Sequence, residues 1–160
     1  MTSALTTFTV RSEDAMRRRA AAFAQQLAPG SLVALEGDLG AGKTVFVRGL
    51  AAGLAHDTDN VSSPSFVLAI EHRGGVRSLL HVDLYRLADG AGIDDLGIEE
   101  ALACDWIVAV EWAQRLPDLL RRRAWRVLIV HAAGQPETER VVTIFSPEHP
   151  AHASSNEQSA

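Results

Sequence analysis

The sequence predicts a three-layer α/β domain built on a mixed, partly antiparallel sheet. Two observations point there. Apolar, strand-length runs outnumber the helices available to cross between them, and an all-parallel sheet needs a crossover, usually a helix, between its strands. Turn signals at Gly74-Gly75 and Gly134-Gln135 each separate two such runs at hairpin spacing.

Residues 6–10 alternate enough for a first strand. Ser12 followed by Glu13 and Asp14 is a helix start, a capping hydroxyl and then acids at the positive end of the dipole. This helix is expected over residues 13–28, stopping at Pro29-Gly30, with Met16, Ala20, Phe23 and Leu27 on one face. Residues 31–36 form a strand-length apolar run, and 44–55 a helix carrying Val47, Leu50 and Leu54 on one side. After a polar connection and a Ser/Pro-rich turn at 61–66, strands are expected at 67–71 and 78–83. Residues 93–103 read as one helix, 107–110 as a short apolar strand ending in Glu111-Trp112, and 117–123 as a short helix. Late strands follow at 125–131 and 140–145. Residues 1–145 form a single domain in this reading. Residues 146–160, rich in Pro, His and Ser, form a disordered tail.

Composition narrows the function. The formal net charge of −5 argues against a chain that binds nucleic acid by bulk electrostatics. The arginine runs at 17–19 and 121–123 are better read as solvated faces than as nucleic-acid patches. One cysteine, Cys104, allows no internal disulfide and suits a small core or boundary position rather than a nucleophile. His and Cys show no metal-site spacing. No secretory signal and no bilayer-length apolar segment is evident, so the expectation is a cytoplasmic protein with no membrane partner.

The chemistry lies in Gly37-Asp38-Leu39-Gly40-Ala41-Gly42-Lys43-Thr44, which fits G-x-x-x-x-G-K-[ST], the Walker A phosphate loop. Of 15 Lys and Arg residues, Lys43 is the single lysine. Given one lysine in this composition, the odds that its neighbours fit by chance are on the order of 10⁻³. An ammonium is a compact charge that reaches between phosphates, where a planar guanidinium does not fit. Strand, glycine-rich turn and helix are the context the motif requires, because loop N–H groups and a helix N-terminus together form an anion cradle. The fold class thus becomes a three-layer P-loop NTPase domain. ATP would lie along Asp38, Leu39, Gly40, Ala41, Gly42, Lys43 and Thr44.

A nucleoside triphosphate arrives with Mg²⁺, the expected cofactor, which seeks oxygen ligands. Thr44 supplies one. Asp83 and Glu111 each end an apolar run and compete for the next place; a shared site explains two such acids better than two unrelated strand ends. Ser65, in Ser62-Ser63-Pro64-Ser65-Phe66, sits where a switch-like loop would offer a hydroxyl. Trp112 is either a core residue or a site residue; if the strand persists, alternation points it away from Glu111, whereas a turn at Glu111 removes that constraint. The adenine pocket is expected near residues 10–13 and 131–134.

The phosphate loop, Ser63-Pro-Ser-Phe66, His81-Val-Asp-Leu-Tyr-Arg-Leu87 and Val110-Glu-Trp112 together resemble the bacterial TsaE family, also called YjeE. Order and spacing match from about residue 10 to 145. Ser65 stands where the family often has Thr, which keeps the hydroxyl. The resemblance implies an ATPase, weak alone, that joins a TsaD-type threonylcarbamoyl transferase and its TsaB-type paralogue. That complex modifies the adenosine beside the anticodon of tRNAs reading ANN codons, so tRNA would be met only through the complex. It also implies metal-site roles for Thr44, Asp83 and Glu111, and a functional Trp112, near the nucleotide site or on the partner-facing surface, with Lys43, Asp83 and Glu111 also catalytic. Three rival readings remain: a small-molecule kinase with arginines 121–123 as a lid, a GTPase using Asp94-Asp95-Leu96-Gly97, and a non-catalytic ATP-binding adaptor. The GTPase lacks an Asn-Lys-x-Asp motif, because Lys43 is the single lysine.

Overall fold

The computed structural model describes residues 4–87 and 90–148. Strands β1 (Ala4–Val10), β2 (Leu32–Glu36), β3 (Ala69–His72), β4 (Leu79–Asp83), β5 (Ile107–Glu111), β6 (Trp125–His131) and β7 (Arg140–Phe145) form one sheet in the order β1-β7-β6-β2-β5-β4-β3. The central β6-β2-β5-β4 ladder is parallel. The β3–β4, β6–β7 and β1–β7 pairs are antiparallel, so the sheet is mixed.

Helices α1 (Glu13–Ala24) and α2 (Lys43–Gly53) cover one face, and α3 (Ile98–Ala103) and α4 (Asp118–Arg123) the other. Strand alternation divides the side chains between two cores. Val33 and Leu35 pack with Phe23, Phe46 and Leu50, whereas Leu32 and Ala34 pack with Ile98, Leu102 and Leu120. Burial on both faces is why β2, β4 and β5 read as continuous apolar runs rather than as alternating ones.

Several boundaries differ from expectation. The first helix stops at Ala24, not near residue 28, because the chain tightens: the Gln26 N–H donates to the Phe23 carbonyl and the Leu27 N–H to that of Ala24. Leu27 stays buried without being helical. The helix expected over 93–103 is two pieces, a 3₁₀ turn (Ile93–Leu96) and α3, because Gly97 at φ 77° leaves the right-handed region. The strand expected from residue 67 starts at Ala69, since Leu68 lies at φ 68° in a turn closed by its N–H on the Pro64 carbonyl. Cys104 caps α3 in solvent rather than in a core or boundary. Of the tail expected at 146–160, residues 149–160 lie outside the described residues. Within 146–148, the Glu148 N–H donates to the Arg122 carbonyl.

Candidate functional site

β2 runs up the middle of the sheet and delivers the glycine-rich loop directly onto the N-terminus of α2. Gly42 caps that helix at φ 108°, a conformation L side chains rarely adopt. The Lys43 side chain folds back and donates from Nζ to the carbonyls of Gly37 (2.6 Å) and Asp38 (2.8 Å). It is 5% exposed. Burial pushes the Lys43 ammonium below its usual pKa, against the nearby charges of Glu111, Asp83 and Asp38, which favour the protonated form.

β4 and β5 are parallel neighbours in a register that pairs Asp83 with Glu111 and His81 with Ala109. Both acids end their strands on the face that carries α2. Thr44 Oγ1, in the first turn of α2, meets Glu111 at both carboxylate oxygens, Oε1 at 2.8 Å and Oε2 at 3.1 Å. Asp83 accepts at Oδ2 from the hydroxyls of Ser63 (2.9 Å) and Ser65 (3.0 Å), and at Oδ1 from the Tyr85 N–H (2.9 Å). Ser65 thus reaches the site through Asp83, and Ser63, which composition did not single out, does the same.

Trp112 ends the strand. At φ 58° and ψ 41° it occupies the left-handed region, so alternation does not apply and the ring swings back over the loop. Lys43 Nζ lies 4.1 Å from the ring centroid and the Tyr85 ring 4.9 Å. Arg115 donates to the carbonyls of Leu84 and Tyr85, fixing the segment that carries Tyr85.

These groups line a cleft of about 720 Å³. Its walls include Leu39, Gly40, Ala41, Gly42, Lys43 and Thr44; Asp38 contributes the carbonyl that holds Lys43. Val10, Ser12 and Glu13, near which the base was expected, also line it. The other expected wall, residues 131–134, does not line it; Glu137 and Thr138, later in the β6–β7 connection, and Arg140, the first residue of β7, do. Arg140 Nε donates to the Ala41 carbonyl at 3.1 Å and Nη2 lies 3.4 Å from that of Gly40, tying β7 to the loop. No local motif marks Arg140, 99 residues from Ala41.

The rival features lie elsewhere. Arg121 is bound to Glu36 at 3.0 Å, and neither the 121–123 run nor Asp94 and Gly97 line the cleft. Among the described residues no three His, Cys, Asp or Glu side chains converge as a metal cluster, and no helix is long and apolar enough to cross a membrane.

A central parallel strand, a glycine-rich loop and a helix whose first residues are Lys and Thr define a P-loop NTPase fold. Within that class the chain belongs to the TsaE family: the family model "Threonylcarbamoyl adenosine biosynthesis protein TsaE" matches residues 10–142. The chain is similar to the tRNA threonylcarbamoyladenosine biosynthesis protein TsaE of Bacillus subtilis (strain 168), 39% identical over 137 residues, or 84% of this chain and 82% of that protein. It is likewise similar to the protein of the same name from Streptomyces coelicolor, 39% identical over 133 residues, 81% of this chain and 88% of the other. The crystal structure of Bacillus subtilis YdiB superposes with a TM-score of 0.69 at 29% identity, covering 91% of this chain and 87% of that one.

Proposed function

We propose that this chain is a cytoplasmic ATPase that binds ATP with Mg²⁺ and hydrolyses it weakly alone. Its turnover resets or regulates a TsaD-type transferase and TsaB-type paralogue as they place threonylcarbamoyl on the adenosine beside the anticodon of tRNAs reading ANN codons. The observation that carries this reading is the convergence of Lys43, Thr44, Asp83, Glu111 and Trp112 on one cleft at the mouth of the phosphate loop.

The donor set fits magnesium. Thr44 Oγ1 and the carboxylates of Asp83 and Glu111 are hard oxygens, and no thiol or imidazole cluster competes among the described residues. Thr44, Asp83 and Glu111 would hold Mg²⁺, which when bound would supply positive charge to offset the charge developing on the phosphates. The remaining work falls to the chain. Loop N–H groups and the α2 N-terminus hold the phosphates. Lys43, exchanging its carbonyl partners for phosphate oxygens, supplies a point charge. Trp112 covers that charge against water. Glu111 aims the Thr44 hydroxyl, and Asp83 is steered by Ser63 and Ser65, whose release from Oδ2 would move the 62–66 loop.

Two measurements test the reading. Phosphate release from ATP should require Mg²⁺; its absence, with binding retained, would leave the adaptor reading instead. Co-purification from cell extract with ATP should recover the transferase and its paralogue, and recovery of neither would overturn the assignment to that complex.

A further inference from the structure

We propose that His81 is a positioning residue, holding the Glu111 carboxylate in the one orientation that aims Thr44. The inference rests on the ATPase reading above. His81 is fully buried at 0% exposure on β4, between β5 and the edge strand β3. Its Nε2 lies 2.6 Å from Glu111 Oε2, shorter than either contact Glu111 makes with Thr44. Its Nδ1 has no partner. A histidine kept only for packing has no need of one short polar contact to a site carboxylate, and an apolar side chain would fill the same volume without stranding Nδ1. The stranded nitrogen persists because the other one is engaged.

The register explains how it reaches. His81 pairs with the small Ala109, and the imidazole reaches two residues along β5 to Glu111. Oε2 is thereby occupied, and Oε1 turns to Thr44. A carboxylate rotates freely about its last torsion unless held. Without His81, Oε2 keeps only the 3.1 Å contact to Thr44, and the hydroxyl loses its fixed direction. Glu111 as an acceptor places a proton on His81 Nε2. His81 does not line the cleft, so it acts through Glu111.

Side-chain length makes the test selective. A glutamine amide nitrogen reaches about where Nε2 sits, and an asparagine one where Nδ1 sits. His81→Gln should keep most of kcat. His81→Asn and His81→Leu should lower kcat about 10- to 100-fold and raise the Mg²⁺ needed for half-maximal rate. Binding of a fluorescent ATP analogue without Mg²⁺ should stay unchanged in all three, since His81 touches neither the loop nor Lys43. In metal-free wild type, ¹⁵N-histidine spectra should show His81 Nε2 protonated. Loss of kcat that is equal in Gln and Asn, unaltered kcat in Asn, or a bare Nε2 would each overturn the inference. Failure of the wild type itself to release phosphate would overturn the ATPase reading instead. If His81→Leu does not fold, the Gln–Asn pair still decides.

Discussion

Replacing Trp112 by alanine separates a site tryptophan from a core one. The ring is half-buried and partly packed on the second core, with Lys43 Nζ 4.1 Å from one side and Tyr85 at 4.9 Å. The aromatic pair contributes about 0.5–1.5 kcal/mol. The cation–π contact adds about 0.5–2 kcal/mol, since the ammonium is desolvated. The left-handed backbone at φ 58° strains Trp and Ala alike, so it cancels. The expected loss is therefore about 1–3.5 kcal/mol, toward or below the lower end of the ~3–5 kcal/mol of a fully buried tryptophan. In a chain of this length that lowers Tm by roughly 2–14 °C. Trp112→Phe should recover much of it by keeping a π face toward Lys43. Circular dichroism melts, and phosphate release measured on folded protein at 25 °C, read the two effects separately. Trp112→Ala should melt modestly lower yet lose most ATPase activity or complex assembly. A loss above ~4 kcal/mol with normal activity per folded molecule would refute the argument and return Trp112 to the core.

Lys43→Ala should abolish ATP binding measured by fluorescence titration, and Lys43→Arg should fail nearly as badly, because a guanidinium cannot enter the turn between the Gly37 and Asp38 carbonyls. Near-normal binding by folded Lys43→Ala would sink the phosphate-loop reading. Asp83→Ala and Glu111→Ala should each cripple Mg²⁺-dependent hydrolysis while far-ultraviolet dichroism stays native; activity surviving in either would make that acid a mere strand end. A pH effect follows at Glu36, the last residue of β2. Burial pushes its carboxyl up, but Arg126 (3.2 Å) and Arg121 (3.0 Å) outweigh this and hold it below the usual 4.5. The folded carboxyl binds its proton less readily than the unfolded one, so the stability it contributes is complete above about pH 4.5 and is lost as pH falls through the folded value. Glu36→Gln should cost about 1 kcal/mol in urea unfolding at pH 7 and progressively less in acid; a pH-independent cost would contradict the ion-pair account.

The phosphate loop was legible because its chemistry is contiguous. Eight residues carry the glycines, the ammonium and the hydroxyl together, and no fold can separate them by more than a turn. Asp83 and Glu111 were legible as ends of apolar runs, since parallel strands in an α/β sheet present their carboxyl ends to the ligand. His81, Ser63, Tyr85 and Arg140 were not assigned roles. Each acts through a partner many residues away, His81 on Glu111 and Arg140 on Ala41, and such partners follow from register and strand order rather than from any local pattern. The helix misread over 93–103 has a local cause: apolar spacing continues across Gly97, but its backbone conformation does not.

By itself, the sequence determined the class of fold, the glycine-rich turn between β2 and α2 and the two acids at strand ends, because period, turn chemistry and a contiguous motif are local properties. Only the tertiary structure decided which hydroxyls hold Asp83, that Trp112 faces Lys43 while resting only partly on the second core, and that Glu137, Thr138 and Arg140 rather than the 131–134 turn wall the cleft. Those outcomes depend on a one-residue register between β4 and β5, on a single left-handed residue after β5, and on the order in which strands were laid beside β2. Each is set by the summed packing of two cores, which no window of the chain contains.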